Sequence, residues 1–91
     1  MEVLAKIKRI EETKVVGSNG FEVRELVVTT EEQHSQTLSI QFTQGRVILL
    51  DNFQVGQRVK IQINLKGNEV TKDNKTIVFN KIEGWKIDEV A

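Results

Sequence analysis

The sequence predicts an all-β protein: a small closed barrel of five strands, with one short helix between the third and the fourth strand. Apolar residues alternate with polar ones along most of the 91-residue chain, which is the pattern of strands that bury one face. One stretch replaces this alternation with helical spacing, and an Asn-Gly pair marks a tight turn between two strands. Closure into a barrel removes the edges that a flat sheet of these strands would expose.

The first two strands form a predicted hairpin. Strand one covers residues 3–10, and Ile10 is out of phase with the apolar positions before it, which indicates a bulge near Arg9. The segment Gly17–Gly20 contains the Asn-Gly pair and forms the turn. Strand two follows at residues 21–30.

The third strand, the helix and the fourth strand follow in that order. Strand three covers residues 37–43, with a clean alternation of apolar and polar side chains. Val47 and Leu50 lie at helical spacing, so we expect a helix of at most two turns. Strand four covers residues 58–66, and its apolar positions Val59–Leu65 alternate with basic and amide residues, so one face of this strand is expected to lie in the core.

The last part of the chain is predicted to be a polar hairpin loop at 67–76 and a fifth strand at 77–87. Gly84 is the position where the phase of this strand can slip, because glycine accepts the bulge conformation. Trp85 and Phe53 are expected to be buried on account of their size and neighbours. The predicted core of strands three and four consists of Leu38, Ile40, Phe42, Val59, Ile61 and Ile63.

This order of elements is that of an OB-fold, a five-stranded Greek-key barrel, and residues 1–91 are expected to form a single OB-fold domain. The segment from Leu49 to Ile87 resembles the second half of bacterial single-stranded DNA-binding proteins. The matching pieces are LLDNFQVGQRVKIQINLKG, the polar hairpin NEVTKDNKT, and IVFNKIEGWKI. The whole chain resembles a small bacterial family catalogued as a domain of unknown function and regarded as OB-like. That resemblance is carried by Arg24-Glu25-Leu26, Glu32-Gln33, Gly56 and Trp85-Lys86-Ile87.

Composition argues against an enzyme, a metalloprotein and a membrane protein. The chain has no cysteine, which excludes disulfides and thiolate metal sites. His34 is the only histidine, it lies in a polar run, and neither a nucleophile motif nor a phosphate loop accompanies it. The N-terminus lacks the apolar core of a signal peptide, and no segment approaches the ~18 apolar residues of a membrane span. We therefore expect a non-catalytic cytoplasmic protein without a cofactor or metal.

Charge is balanced in total but not along the chain. The sequence has 13 basic and 13 acidic residues. Residues 11–33 hold two basic and six acidic side chains, a net charge of −4, whereas residues 52–82 hold six basic and two acidic ones, a net charge of +4. A basic sector of this kind can steer an anionic ligand to one face of the protein.

The basic sector coincides with a part of the fold that binds ligands in OB-folds, namely the loop between strands four and five. Lysines that follow a phosphate backbone, together with aromatic rings for base stacking, suit binding of single-stranded DNA or RNA without strong sequence preference. Phe79 alternates with Val78 and is the best candidate for an exposed ring. The predicted nucleic-acid-binding residues are Arg58, Lys60, Lys66, Lys72, Lys75, Phe79 and Phe21.

The sequence leaves a second function open: a protein-interaction or oligomerisation module without a role in nucleic-acid binding. A core this small gains stability from association, and on this ground and by its resemblance the chain is expected to form a homodimer. The acidic sector around strand two would repel a nucleic-acid strand laid across it, which favours the second function.

Overall fold

The computed structural model describes all 91 residues and consists of strands and one 3₁₀ helix. The elements are β1 (Glu2–Ile10), β2 (Lys14–Val16), β3 (Phe21–Thr30), β4 (Thr37–Thr43), the 3₁₀ helix (Gln44–Asn52), β5 (Arg58–Lys72) and β6 (Lys75–Glu89).

The strands form one sheet in the order β1-β5-β6-β4-β3-β2, and an additional pairing of β1 with β3 closes the barrel. All neighbours are antiparallel except β4 and β6, which run parallel. The five-stranded Greek-key barrel of the OB-fold is thereby confirmed. The extra strand β2 has three residues and pairs only with β3, on the other side of the Gly17–Gly20 turn. The φ angles of Gly17 and Gly20 are +72° and +70°, which explains the two glycines of this turn.

The barrel interior is entirely apolar, and no side-chain nitrogen or oxygen is buried without a partner. Five of the six predicted core residues of β4 and β5 are buried, and Leu38 is partly buried against them. Phe53 also packs against this cluster, as expected. The core cluster consists of Ala5, Ile7, Leu26, Val28, Ile40, Phe42, Leu50, Val59, Ile61, Ile63 and Ile87.

Both predicted irregularities of the strands are present as register shifts. The β1–β3 pairing shifts just before Arg9, and β1 can therefore bend from its partner β5 to its partner β3. The β5–β6 pairing shifts between Gln62 and Ile63, which face Lys86 and Gly84, so Trp85 is the additional residue of a bulge. The expectation that Trp85 is buried was wrong: 42% of its surface is exposed, because the bulge interrupts the inward and outward alternation.

The helix between β4 and β5 is a 3₁₀ helix of nine residues, which is longer than the two turns expected. Val47 and Leu50 are both buried, since side chains three positions apart eclipse one another in a 3₁₀ helix.

Arg24 of β3 connects this helix to the barrel through hydrogen bonds. Its Nη1 donates to the carbonyl oxygen of Val47 at 3.1 Å and to the carboxylate of Asp51 at 2.7 Å, while its Nε donates to the carbonyl oxygen of Glu11 at 2.8 Å.

The largest departure from the sequence prediction is the hairpin of β5 and β6. Residues 67–76 do not form a loop: both strands continue to a two-residue turn at Asp73 and Asn74, whose φ angles of 53° and 63° fit a type I′ turn. Every residue in 64–81 is exposed, so this segment, the β5–β6 arm, projects beyond the barrel. Leu65 was expected in the core but is 65% exposed, because its position on β5 lies past the barrel wall.

Candidate nucleic-acid interface

The register of the β5–β6 arm sorts its side chains onto two faces. Residues directly opposite one another in an antiparallel pair lie on the same face of the sheet. Lys66 is opposite Lys81, and Lys72 is opposite Lys75. Because these positions are separated by even numbers of residues along each strand, all four lysines share one face of the arm, the lysine face.

Apolar side chains occupy the lysine face between the two lysine pairs. Val70 is opposite Ile77, and Phe79 is opposite Asn68. The three apolar side chains are exposed, Phe79 by 56%. An exposed ring between two pairs of positive charges offers a stacking surface for a base beside partners for phosphates. The expectation that Phe79 is exposed is confirmed.

The lysine pairs are unfavourable for the protein alone. Like charges directly opposite in a sheet repel one another, and none of the four lysines forms an ion pair. An anion bound between them would relieve this repulsion. The lysine face therefore has the charge distribution of an anion-binding surface rather than that of a surface balanced by intramolecular salt bridges.

The structure does not bring Arg58 and Lys60 together with the other predicted basic residues. Arg58 begins β5, 14 residues before Lys72, a separation of about 46 Å along an extended strand. Its Nε and Nη2 donate to the Glu31 carboxylate at 2.8 and 2.7 Å, and its Nη1 donates to the Ala91 carbonyl oxygen at 3.1 Å. The hydrogen bonds from Arg58 hold the pKa of the Glu31 carboxyl below its usual value. Lys60 is half-buried on the barrel wall.

Three clefts that share lining residues follow one another from the arm to the first hairpin, and together they are called the groove. The first is lined by Phe79, Lys66 and Lys81, and the second shares both lysines and reaches Ser39 of β4. The third shares Lys81 and ends at Phe21, beside the turn before β3. The groove thus connects the two aromatic residues that the sequence singled out, and Phe21 is also exposed. Lys72 and Lys75 continue the same charged surface toward the tip of the arm.

Lys81 is not among the predicted site residues, although it lines all three clefts. The signal that reveals it is the segment Lys72–Lys75, in which Asp-Asn forms the turn. Both residue types tolerate positive φ angles, and a two-residue turn fixes the register of the whole hairpin. Counting outward from this turn places Lys81 opposite Lys66.

The structure shows neither a membrane-spanning helix nor a cluster of metal ligands. Its one helix is too short to cross a lipid bilayer. No three side chains of histidine, aspartate and glutamate come together as a group that could hold a metal ion. His34 lies exposed between β3 and β4.

Comparisons with known proteins support the architecture and identify the family. The structure resembles the crystal structure of a small single-stranded DNA-binding protein from Streptomyces coelicolor, with a TM-score of 0.62 over 99% of this chain and 92% of that chain. The two sequences are 12% identical, so this similarity shows the OB-like fold alone. The comparison with curated proteins found no match. The sequence model of DUF3127, described as a domain of unknown function, matches residues 2–88, and the chain therefore belongs to that family.

Proposed function

We propose that this protein is a non-catalytic OB-fold module that binds single-stranded DNA or RNA, without strong sequence preference, along the lysine face and the groove. The observation that carries this proposal is the pairing of Lys66 with Lys81 and of Lys72 with Lys75 on either side of the exposed Phe79 ring. The similarity to a fold used by a single-stranded DNA-binding protein supports it.

In this proposal the lysines contact phosphates and the aromatic rings contact bases. Lys66 and Lys81 lie at the middle of the groove, where they hold the backbone of the strand between Phe79 and Phe21. Stacking on a ring accepts any base, because every base has a π-face, and phosphate contacts carry no sequence information. The expected result is broad binding over about 4–16 nucleotides, the range for one OB-fold.

The salt dependence of binding tests the role of the lysines. Four phosphate contacts from the lysine face release counterions, so the affinity for a fluorescent thirty-mer of oligo-dT should fall with a log–log slope of roughly −3, at about −0.7 per contact. Replacing Lys66 and Lys81 with glutamine should make the slope shallower by about 1.4. The matched control removes two exposed lysines of β1, Lys6 and Lys8, and should leave the slope unchanged. Absence of binding by the unaltered protein at low salt would reject the proposed function.

Removing the ring of Phe79 tests base stacking separately from charge. Phe79→Ala should weaken binding of the same oligonucleotide by about 1–3 kcal/mol and leave the salt slope as it was, because no phosphate contact is lost. Val78→Ala is the control, since Val78 is the neighbouring exposed residue on the opposite face of the arm. Equal affinities of the two variants would show that the ring does not stack.

The opposite face of the arm favours the alternative function, a protein-interaction or homodimer contact. Leu65 and Val78 are exposed there by 65% and 61%, and Glu69 is the one charged side chain of this face. A face with two exposed apolar side chains and a single, negative charge suits a protein partner better than a polyanion. Light scattering at high micromolar concentration measures the oligomeric state. A dimer would support self-association through this face, and a monomer would contradict the homodimer.

A further inference from the structure

The third cleft of the groove differs from the other two in charge. It has a volume of about 500 Å³ and is lined by Glu11, Glu12 and Glu25 in addition to Phe21 and two lysines, Lys14 and Lys81. Carboxylates repel phosphates, so in a groove that carries a nucleic-acid strand their useful partners are the hydrogen-bond donors of the bases. The following inference rests on the proposed function and concerns the choice of base.

Glu25 is the carboxylate that the structure holds ready for such a partner. It lies on the outer face of β3, directly opposite Gln41 of β4, which also lines the cleft. The hydroxyl of Ser39 donates to Glu25 Oε2 at 3.0 Å and orients the carboxylate. Glu25 is exposed and forms no ion pair, whereas Glu11 beside it is paired with Arg9 at 3.3 Å.

The carboxylate of Glu25 retains most of its capacity to accept hydrogen bonds. An ionised carboxylate is an acceptor with about four lone-pair sites, and the Ser39 hydroxyl occupies one of them. A base whose ring stacks on Phe21 would present its Watson–Crick edge to groups of the same cleft, as bases of single strands commonly do in protein complexes.

The four bases differ in what this edge offers to an acceptor. Guanine carries two adjacent donors, N1–H and N2–H₂, which match the two oxygens of a carboxylate. Adenine and cytosine place an acceptor beside their amino group, and thymine places a carbonyl on each side of its single N–H. We propose that Glu25, positioned by Ser39, is a specificity-determining residue that selects guanine at one position of the bound strand.

The experiment compares thirty-mers of oligo-dT in which every sixth thymidine is replaced by deoxyguanosine, deoxycytidine or deoxyinosine. The unaltered protein should bind the guanine oligonucleotide about 5- to 150-fold more tightly than oligo-dT, the discrimination of a good bidentate contact. Inosine lacks the N2 amino group and should lose most of this gain. Cytosine should gain less than guanine, because it offers one donor group.

The variant Glu25→Gln should abolish the preference for guanine, because the amide offers one acceptor oxygen where the carboxylate offers two. Glu22→Gln is the matched control: Glu22 lies on the same strand, is exposed and does not line the cleft. This control should keep the preference for guanine.

Three results would contradict the proposed role of Glu25. Equal affinity of the unaltered protein for the guanine and thymine oligonucleotides overturns the role of Glu25 and leaves the proposed function standing. A preference for guanine that survives in Glu25→Gln also overturns it and assigns the selection to another residue. Failure to bind any of the four oligonucleotides rejects the proposed function itself and the inference with it.

Discussion

Replacing Ile61 with alanine is expected to reduce the free energy of unfolding by about 2–4 kcal/mol. Ile61 is fully buried on β5, where it is paired with Val3 on one side and with Ile87 on the other. The substitution loses the transfer energy of the removed methyl and methylene groups and leaves a cavity among three strands. A chain of 91 residues has a total stability of about 5–14 kcal/mol, so the loss is a large fraction of it.

The matched control for Ile61→Ala is Leu65→Ala. Leu65 follows four positions later in the same strand, on the same alternation, but is exposed in the arm. Its removal should change the stability by less than about 0.5 kcal/mol. Urea midpoints of the two variants measure the difference. An unchanged midpoint for Ile61→Ala, or equal shifts for both, would contradict the boundary between barrel and arm.

Replacing Gly84 with valine is expected to destabilise the protein by about 3 kcal/mol through overpacking. Gly84 is buried where β6 crosses the core, and a Cβ atom there would lie 2.5 Å from Cζ of Phe42 and 3.0 Å from Cγ2 of Ile40. Both neighbours are fully buried, and a close-packed interior has no free volume for the ring to move into. Thermal or urea unfolding measures the loss.

A second substitution identifies the clash as the cause. Phe42→Leu shortens the side chain that a residue at position 84 would meet, so its combination with Gly84→Val should cost less than the sum of the two single changes. Gly67→Val is the control in the same hairpin, because a Cβ atom there would meet only the side chain of Asn80 at 3.3 Å and the Phe79 carbonyl oxygen at 4.0 Å. Similar losses at Gly67 and Gly84 would show that the core contact is not responsible.

The barrel could be predicted because each of its strands buries one face. Burial forces the apolar residues into a period of two, and the phase breaks near Arg9 and Gly84 then show where the backbone must bulge. The arm could not be predicted in the same way. Both of its faces are exposed, so nothing imposes an alternation on residues 67–76, and the polar composition is like that of a loop. The Asp73-Asn74 turn is its local signal.

The candidate site could be predicted in its composition but not in its arrangement. The exposure of Phe79 was expected from its alternation with Val78, but Val78 is exposed too, so the actual reason is that both faces of the arm lie outside the barrel. The lysines of the hairpin follow from the sequence alone. The opposition of Lys66 and Lys81 depends on register, which the predicted loop left undefined. The ion pair of Arg58 with Glu31 joins residues 27 positions apart, and a single sequence carries no signal for such a pair.

Because the whole arm is exposed, the molecule consists of two units, the barrel and the arm, that differ in the cooperativity of their unfolding. The barrel unfolds as one structure because its strands share a core, whereas residues 64–81 depend mainly on their own ladder of backbone hydrogen bonds. Local opening of the arm can therefore occur without global unfolding. Substitutions in the arm therefore change the global free energy of unfolding little, whereas substitutions in the barrel can lower it below the value that the folded state needs. Selection can therefore alter the surface of the arm while the rest of the protein stays folded.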